Sequence, residues 1–165
     1  MAFDIQNRDI VMQLIEETGK SGVLLVSGET PNPMTMGWCT TGIFWSEPVF
    51  MAPVRLSRYT HELIKKTGKF TVCLPNADKR AALGFCGSHS GRDCDKLAEC
   101  GFNAMPTKTL GIPTIDGCSA YVECEVLGAF DMELSGLNKE LCGKWYADGD
   151  VHTMFYGRIT AAYRS

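Results

Sequence analysis

The chain has 165 residues, 45% of them hydrophobic and 21% charged, which is enough to bury a hydrophobic core without metals or disulfides. A formal net charge of -3 argues against a nucleic-acid-binding protein, because such proteins present a basic face. No apolar stretch is long enough to span a bilayer, and the N-terminus lacks the basic start and apolar run of a signal peptide. We therefore expect a cytoplasmic protein with a single domain over residues 1–165.

The first part of the chain predicts one helix followed by strands. Residues 9–17 place apolar side chains on one side and predict a short amphipathic helix. The polar segment 29–33 contains two prolines and predicts a turn. Strands are predicted on either side of this turn, at residues 23–27, 34–41 and 49–54.

The middle of the chain alternates helices and strands. Residues 58–67 predict a helix, with Thr60 as a possible N-cap and Gly68 just beyond the C-terminal end. A strand at 69–74 follows, and then a second short helix at 77–86.

The C-terminal part is rich in strand-like sequence. Residues 119–132 predict a long β stretch, 137–145 a helical insertion and 152–161 a closing strand. Strands outnumber helices, and the helices lie between strands as covers. This order indicates a mainly β, α+β fold, a small β-barrel with helical decoration, rather than repeated βαβ units.

Eight cysteines occur without any C-x-x-C spacing, so the common zinc and dithiol signatures are missing. An even number would suit a disulfide framework in a secreted protein, but nothing indicates secretion. We expect reduced, buried thiols, with Cys86, Cys94 and Cys100 beside a polar glycine-containing segment as the candidates for reactivity.

Several enzyme signatures are absent from the sequence. There is no G-x-G-x-x-G and no Walker A motif. The string at 87–91 has histidine where a nucleophile elbow has serine. With three histidines in all, we predict no metal site.

The segment 54–64 follows an apolar strand and opens a helix. Arg55 and Arg58 can offer forked donors, and Ser57 and Thr60 offer hydroxyls, at a helix start that favours anions. The residues indicate a phosphate site, although a solvated turn with an N-cap would carry the same string.

Two further polar segments accompany it. In 89–96, a glycine allows close backbone approach, and Arg92 and Lys96 can reach a phosphate or a ring edge; a charged loop with a helix start is the alternative. In 32–38, Asn32, Thr35 and Trp38 alternate with methionines, a mixture that suits a flat heteroaromatic ring or, equally, a half-buried strand.

Taken in this order, the motifs resemble the flavin-reductase-like and flavoredoxin family of FMN-binding split barrels. The resemblance extends from about residue 20 onward and rests on R-x-S-R-Y-T at 55–60, S-G-R-D-x-D-K at 90–96 and the 149–155 segment. It implies an FMN phosphate cradle of Arg55, Ser57, Arg58 and Thr60. It also implies that Asn32, Thr35 and Trp38 line the isoalloxazine and ribityl region, that Ser90, Arg92 and Lys96 lie along the other side of the cofactor, and that His152 faces the flavin or the substrate space near it. His152 is the one candidate for a proton donor, and a structural hydrogen-bonding role is the alternative.

The family resemblance implies a homodimer with FMN near the subunit interface. It leaves three functions open: an NAD(P)H-dependent flavin reductase, a flavoredoxin-type carrier that receives electrons from a ferredoxin-like donor, and a flavin-binding domain without turnover. Pro33 and the inserted segment 134–150 depart from the family pattern, and we expect them to affect the substrate more than FMN binding.

Overall fold

The computed structural model describes residues 5–165, with side chains from Asn7 onward. Nine strands and five α-helices occur in this part of the chain. The strands are β1 Val23–Ser27, β2 Asn32–Met36, β3 Thr40–Phe44, β4 Glu47–Arg55, β5 Lys69–Pro75, β6 Ala104–Pro106, β7 Pro113–Ile115, β8 Cys118–Asp131 and β9 His152–Arg164. The helices are α1 Ile5–Lys20, α2 Tyr59–Thr67, α3 Ala81–Ser88, α4 Lys96–Cys100 and α5 Lys139–Trp145.

Seven strands form one antiparallel sheet in the order β2-β1-β5-β8-β9-β4-β3, and β6 pairs with β7 separately. The sheet bends until β2 contacts β4. The ladder pairing does not join these two strands, so the sheet curls without closing into a barrel. The predicted α+β class is confirmed, and one of the cavities described below lies where β2 meets β4.

Strand β1, which lies next to the edge strand β2, is covered on both faces. Val23 and Leu25 belong to a core cluster under α1, whereas Leu24 and Val26 belong to a second cluster under α3. Successive strand residues point to opposite faces, which explains why residues 23–26 are all apolar. Each fully buried side chain of this size contributes about 1.5–3 kcal/mol. The two layers therefore hold rigidly the sheet edge on which β2 lies.

The prediction of one strand over 34–41 is wrong. Strand β2 ends at Met36, and the chain turns away before β3 begins at Thr40. Strands β3 and β4 form a hairpin whose turn residues, Trp45 and Ser46, have φ of 53° and 60°. Hairpin turns with positive φ are normally recognised by glycine or asparagine, so this turn carried no sequence signal.

Other boundaries differ by smaller amounts. The predicted helix at 77–86 is a 3₁₀ turn, Ala77–Lys79, followed by α3. Helix α4 and the β6–β7 pair were not predicted. The long strand predicted at 119–132 and the closing strand predicted from His152 are confirmed.

All eight cysteines are free, and four of them are buried, as expected for core thiols. The Sγ atoms of Cys86 and Cys100 lie 3.9 Å apart. Burial raises the pKa of Cys86 to about 12, and burial also raises the pKa of Cys100. Because the thiolate is the reactive form, these two residues are poor nucleophiles at neutral pH.

No helix within residues 5–165 combines the length and apolar character needed to cross a membrane.

Candidate functional site

Two adjoining cavities lie beside the start of α2. The first, called the Trp38 cavity, has a volume of about 180 Å³ and lies between β2, β4, the end of α5 and the start of β9. The second, called the Ser90 cavity, has a volume of about 280 Å³ and lies between the start of α2 and the loop that connects α3 to α4. Both cavities are lined by Met34 and Arg58, so these residues mark their junction.

The eleven residues predicted from sequence all line one or both cavities. The Ser90 cavity is lined by Asn32, Ser57, Arg58, Thr60, Ser90, Arg92 and Lys96. The Trp38 cavity is lined by Thr35, Trp38, Arg55, Arg58 and His152. Segments that are distant in the chain therefore converge on one place, while the role of each residue stays a prediction.

Helix α2 opens towards the Ser90 cavity without a side-chain cap. Its N-cap is Arg58, in extended conformation with no capping hydrogen bond from the side chain. The prediction that Thr60 is the N-cap is wrong, because Thr60 lies inside the first turn and its Oγ1 accepts from Asn32 Nδ2 at 2.9 Å. First-turn amides and the helix dipole both favour an anion. Tyr59 and Thr60 bring these features to the cavity wall.

Arg58 is the cation at the junction of the two cavities. One guanidinium nitrogen donates to the Gly87 carbonyl at 2.9 Å, which fixes the side chain against the end of α3. A guanidinium carries several N–H donors in a planar fork, so further donors stay available. Arg58 is therefore well placed to bind an anion that spans the junction.

Arg55 and Ser57 are engaged by the segment that precedes β9. The Arg55 guanidinium donates to the carbonyls of Asp150 and Trp145 at 2.6 and 2.7 Å. The Ser57 hydroxyl and backbone N–H both donate to the Asp150 carboxylate, at 2.6 and 3.1 Å. The structure thus brings Ser57, Arg58 and Thr60 to the Ser90 cavity and places Arg55 in the Trp38 cavity.

Lys96 is a buried cation, 4% exposed. Its ammonium donates to the carbonyls of Pro33 and Cys86 at 2.9 and 3.1 Å, and burial lowers its pKa. No carboxylate among the described residues forms an ion pair with it. A buried charge without a counter-ion is costly, so Lys96 at the cavity wall suits an anionic ligand.

The loop that carries Ser90 is packed tightly against β2. A Cβ at position 91 would lie 1.9 Å from Asn32 Oδ1, so only glycine permits this approach. Ser90 Oγ accepts from the Arg92 backbone N–H at 3.2 Å. The Arg92 side chain donates to the Ser57 carbonyl at 3.1 Å, pairs with Glu62 and lies over the ring of Tyr59. Arg92 therefore joins the loop to α2, and its guanidinium has fewer free donors for a ligand than that of Arg58.

Aromatic side chains surround the Trp38 cavity. Trp38 and Trp145 are both part-exposed and meet edge to face at 4.9 Å, and Trp38 lies 5.2 Å from the ring of His152. The Thr35 hydroxyl is directed away, to the Leu83 carbonyl at 2.5 Å. Two methionines, Met34 and Met36, complete an apolar wall. Such a slot suits a flat heteroaromatic ring.

Two residues of the site were missed from the sequence. Trp145 is the last residue of α5 and Tyr146 is its C-cap, within the inserted segment 134–150. Their aromatic character, a few residues before the D-x-H motif at 150–152, was the available signal. Tyr146 lines neither cavity, but its hydroxyl oxygen lies 2.8 Å from Nδ1 of His152. Burial, together with the Arg55 cation, lowers the pKa of His152 to about 4. His152 is therefore a neutral imidazole near pH 7.

The model of the flavin reductase like domain matches residues 17–165. The chain belongs to the flavin reductase-like family. It is 31% identical over 137 residues to an uncharacterized protein of Archaeoglobus fulgidus, an alignment that covers 82% of this chain and 67% of the relative.

Solved structures of flavin reductase-like proteins share the fold. A flavoredoxin from Methanosarcina acetivorans is 25% identical with a TM-score of 0.69, covering 88% of this chain and 69% of the flavoredoxin. An FMN-binding protein from Thermus thermophilus, solved with 1-cyclohex-2-enone bound, is 25% identical with a TM-score of 0.66, covering 87% and 70%. The family predicted from the motifs is confirmed.

Proposed function

We propose that this chain binds FMN across the two cavities and acts as an NAD(P)H-dependent oxidoreductase of the flavin reductase type. The observation that best supports this proposal is the junction of the two cavities at Arg58. There the uncapped start of α2 and the cations Arg58 and Lys96 lie beside the aromatic Trp38 cavity. The Ser90 cavity suits a phosphate, because amides, Arg58 and the otherwise unpaired Lys96 all favour an anion. The Trp38 cavity suits the ring. The FMN-binding relative from Thermus thermophilus supports the same cofactor.

The residues of the chain would bind and orient the cofactor, and FMN when bound would supply hydride and single-electron chemistry. Arg58 and the α2 amides would anchor the phosphate, and Lys96 would balance its charge. Trp38 and Trp145 would cover one side of the ring and exclude water. Hydride transfer to a flavin requires no protein base, and we assign none.

A flavoredoxin-type electron carrier is the second candidate. The specific observation in its favour is the likeness to the Methanosarcina acetivorans flavoredoxin. Such a carrier would receive electrons from a ferredoxin-like protein and oxidise little nicotinamide. The two candidates share the FMN site and differ in the donor.

Anaerobic reduction distinguishes these functions. The purified protein is loaded with FMN, freed of excess cofactor and mixed with NADH or NADPH while flavin absorbance is followed. We expect rapid bleaching by one of the two nucleotides. Slow bleaching that a reduced ferredoxin accelerates would instead favour the carrier. Bleaching by neither donor would indicate a flavin-binding domain without turnover, and failure to retain FMN would contradict the proposal altogether.

We also propose a homodimer that forms through an exposed aromatic surface at the β3–β4 hairpin. Phe44, Trp45 and Phe130 are 50%, 52% and 55% exposed, and they surround Tyr156. Trp45 also holds a left-handed backbone, which is rare for a bulky residue and is retained mainly where function requires it. Clustered exposed aromatics of this kind are typical of interfaces.

Replacement of Trp45 by asparagine should dissociate this dimer. Asparagine tolerates the left-handed backbone, so the hairpin stays intact while the aromatic contact is lost. Light scattering after gel filtration should show a dimer for the parent protein and a monomer for Trp45→Asn. Met12→Asn, which removes an exposed apolar side chain from α1, is the control and should stay dimeric. A monomeric parent protein at micromolar concentration would contradict the proposed interface.

A further inference from the structure

A buried tyrosine–histidine pair lies behind the Trp38 cavity. Tyr146, at the C-terminal end of α5, and His152, at the start of β9, are 6% and 7% exposed. The Tyr146 hydroxyl lies 2.8 Å from His152 Nδ1, and the two rings meet edge to face with centroids 5.5 Å apart. The inserted segment 134–150 thus reaches the site through a specific polar contact.

The direction of this hydrogen bond follows from the proton of the tyrosine. The hydroxyl has one hydrogen, and among the described residues its only hydrogen-bond partner is His152 Nδ1. Burial raises the pKa of Tyr146, so the hydroxyl keeps its proton at neutral pH. A donor directed at Nδ1 requires a lone pair on that nitrogen. The proton of the neutral imidazole then lies on Nε2.

His152 Nε2 is available to a ligand. It has no hydrogen-bond partner among the described residues. The only buried side-chain nitrogen or oxygen without a partner in this part of the chain is Thr114 Oγ1. Nε2 is therefore not fully buried. Because His152 lines the Trp38 cavity, the accessible Nε2–H belongs to that cavity.

The charges around His152 keep its ring neutral. Desolvation is the largest effect, the cations Arg55 and Arg58 act in the same direction, and Asp150 opposes them, so the pKa falls from 6.5 to about 4. A folded-state pKa below the unfolded value means that protons bind preferentially to the unfolded chain. The contribution of neutral His152 to stability is present above about pH 6.5 and is lost as the pH falls towards about 4.

We infer that Tyr146 is a positioning residue that holds His152 as an Nε2–H hydrogen-bond donor to whatever ligand fills the Trp38 cavity. Such a ligand must present an acceptor, a carbonyl oxygen or a ring nitrogen, to His152. The sequence indicated His152 as a candidate proton donor; the pair makes it a neutral hydrogen-bond donor at physiological pH. That the acceptor belongs to a flavin rests on the proposed function.

Histidine NMR tests the tautomer without any cofactor. The chain has three histidines, so ¹⁵N-histidine labelling gives few signals, and His152→Gln assigns the one of interest. At pH 7 we expect an unprotonated Nδ1 and a protonated Nε2 for His152. In Tyr146→Phe this preference should be lost, giving a mixture of tautomers or a protonated Nδ1. A protonated Nδ1 in the parent protein, or an unchanged spectrum in Tyr146→Phe, would overturn the inference.

Two internal references show whether the effect is local. Tyr156→Phe removes a hydroxyl that has no hydrogen bond among the described residues, and it should leave the His152 signals unchanged. His61 is held separately: Thr153 donates to Asp131 at 2.5 Å and so accepts from His61 Nε2 at 2.7 Å. His61 should therefore show a protonated Nε2 in both tyrosine variants.

Titration and FMN addition complete the test. The His152 signals should stay nearly constant from pH 8 to about 5 and change with a midpoint near 4, whereas a midpoint near 6.5 would contradict the desolvated surroundings that keep the ring neutral. Addition of FMN should shift the Nε2 signal, and Tyr146→Phe should weaken FMN binding by about 5- to 10-fold, the effect of one neutral hydrogen bond. FMN that binds without moving the Nε2 signal would refute the inferred donor role. FMN that does not bind would refute the proposed function and leave the tautomer result standing.

Discussion

Replacement of Arg58 by alanine is expected to weaken FMN binding by about 10- to 100-fold and to leave the fold unchanged. Arg58 lies at the junction of both cavities and makes one contact to the protein, with the Gly87 carbonyl. Its loss removes a charge-assisted donor from the site, and the only side-chain hydrogen bond lost within the described residues is the one to the part-buried Gly87 carbonyl. Quenching of FMN fluorescence on titration measures the affinity, and thermal unfolding of the flavin-free protein measures the fold.

Two matched variants make this result specific. Arg80→Ala removes a part-exposed arginine that pairs with Glu17 and lies outside both cavities, so it should keep the parent affinity. Ser57→Ala should have a smaller effect than Arg58→Ala, because the Ser57 hydroxyl already donates to Asp150. An Arg58→Ala protein that binds FMN as tightly as Arg80→Ala would show that the phosphate lies elsewhere.

The sheet was predictable from sequence wherever local pattern and tertiary environment agree. Residues 23–26 of β1 are all apolar because both faces of the strand are covered. The turn predicted over 29–33 is present, but it ends earlier than predicted, since Asn32 and Pro33 already belong to β2. The β3–β4 hairpin was missed because Trp45 and Ser46 adopt positive φ without glycine or asparagine. The contacts of Trp45 with Phe130 and Tyr156 join residues far apart in the chain and leave no local sequence pattern.

The sequence predicted which residues line the site better than it predicted the hydrogen bonds that those residues make with the rest of the protein. The motifs that contain Asn32, Arg58 and Lys96 were assigned to one region through the family resemblance, and they do line adjoining cavities. What the motifs could not indicate is which donors are already used inside the protein. Arg55 is engaged with carbonyls of residues 145 and 150, some 90 positions along the chain, and no local spacing reports such a contact.

The inserted segment 134–150 illustrates the same limit. From sequence it was expected to reshape the substrate entrance, and it supplies Trp145 to the cavity mouth, Tyr146 to His152 and Asp150 to Ser57. The segment thus touches both cavities at once. An effect of the segment on the substrate would therefore be accompanied by an effect on the residues assigned here to FMN.

Replacement of Glu123 by glutamine is expected to lower the free energy of unfolding by about 2–4 kcal/mol without changing FMN affinity. The carboxylate is fully buried in β8. It accepts from the backbone N–H groups of Lys108 and Thr109 at 2.7 and 2.8 Å, from Thr109 Oγ1 at 2.6 Å and from the Tyr163 hydroxyl at 2.7 Å. A carboxamide replaces one acceptor oxygen by an NH₂ group that faces these donors.

Glu125→Gln is the matched control, since Glu125 lies two residues along the same strand but is part-exposed and pairs with Arg158 at 3.0 Å. A surface pair of this kind contributes about 0–1 kcal/mol, so urea unfolding should separate the two variants clearly. Equal stability of Glu123→Gln and Glu125→Gln would refute the role of the buried carboxylate. Glu123 lines neither cavity. We therefore expect Glu123→Gln to lose stability and keep its FMN affinity, and Arg58→Ala to lose FMN affinity and keep its stability. Together these two results would establish that the cofactor site and the folding core depend on different residues.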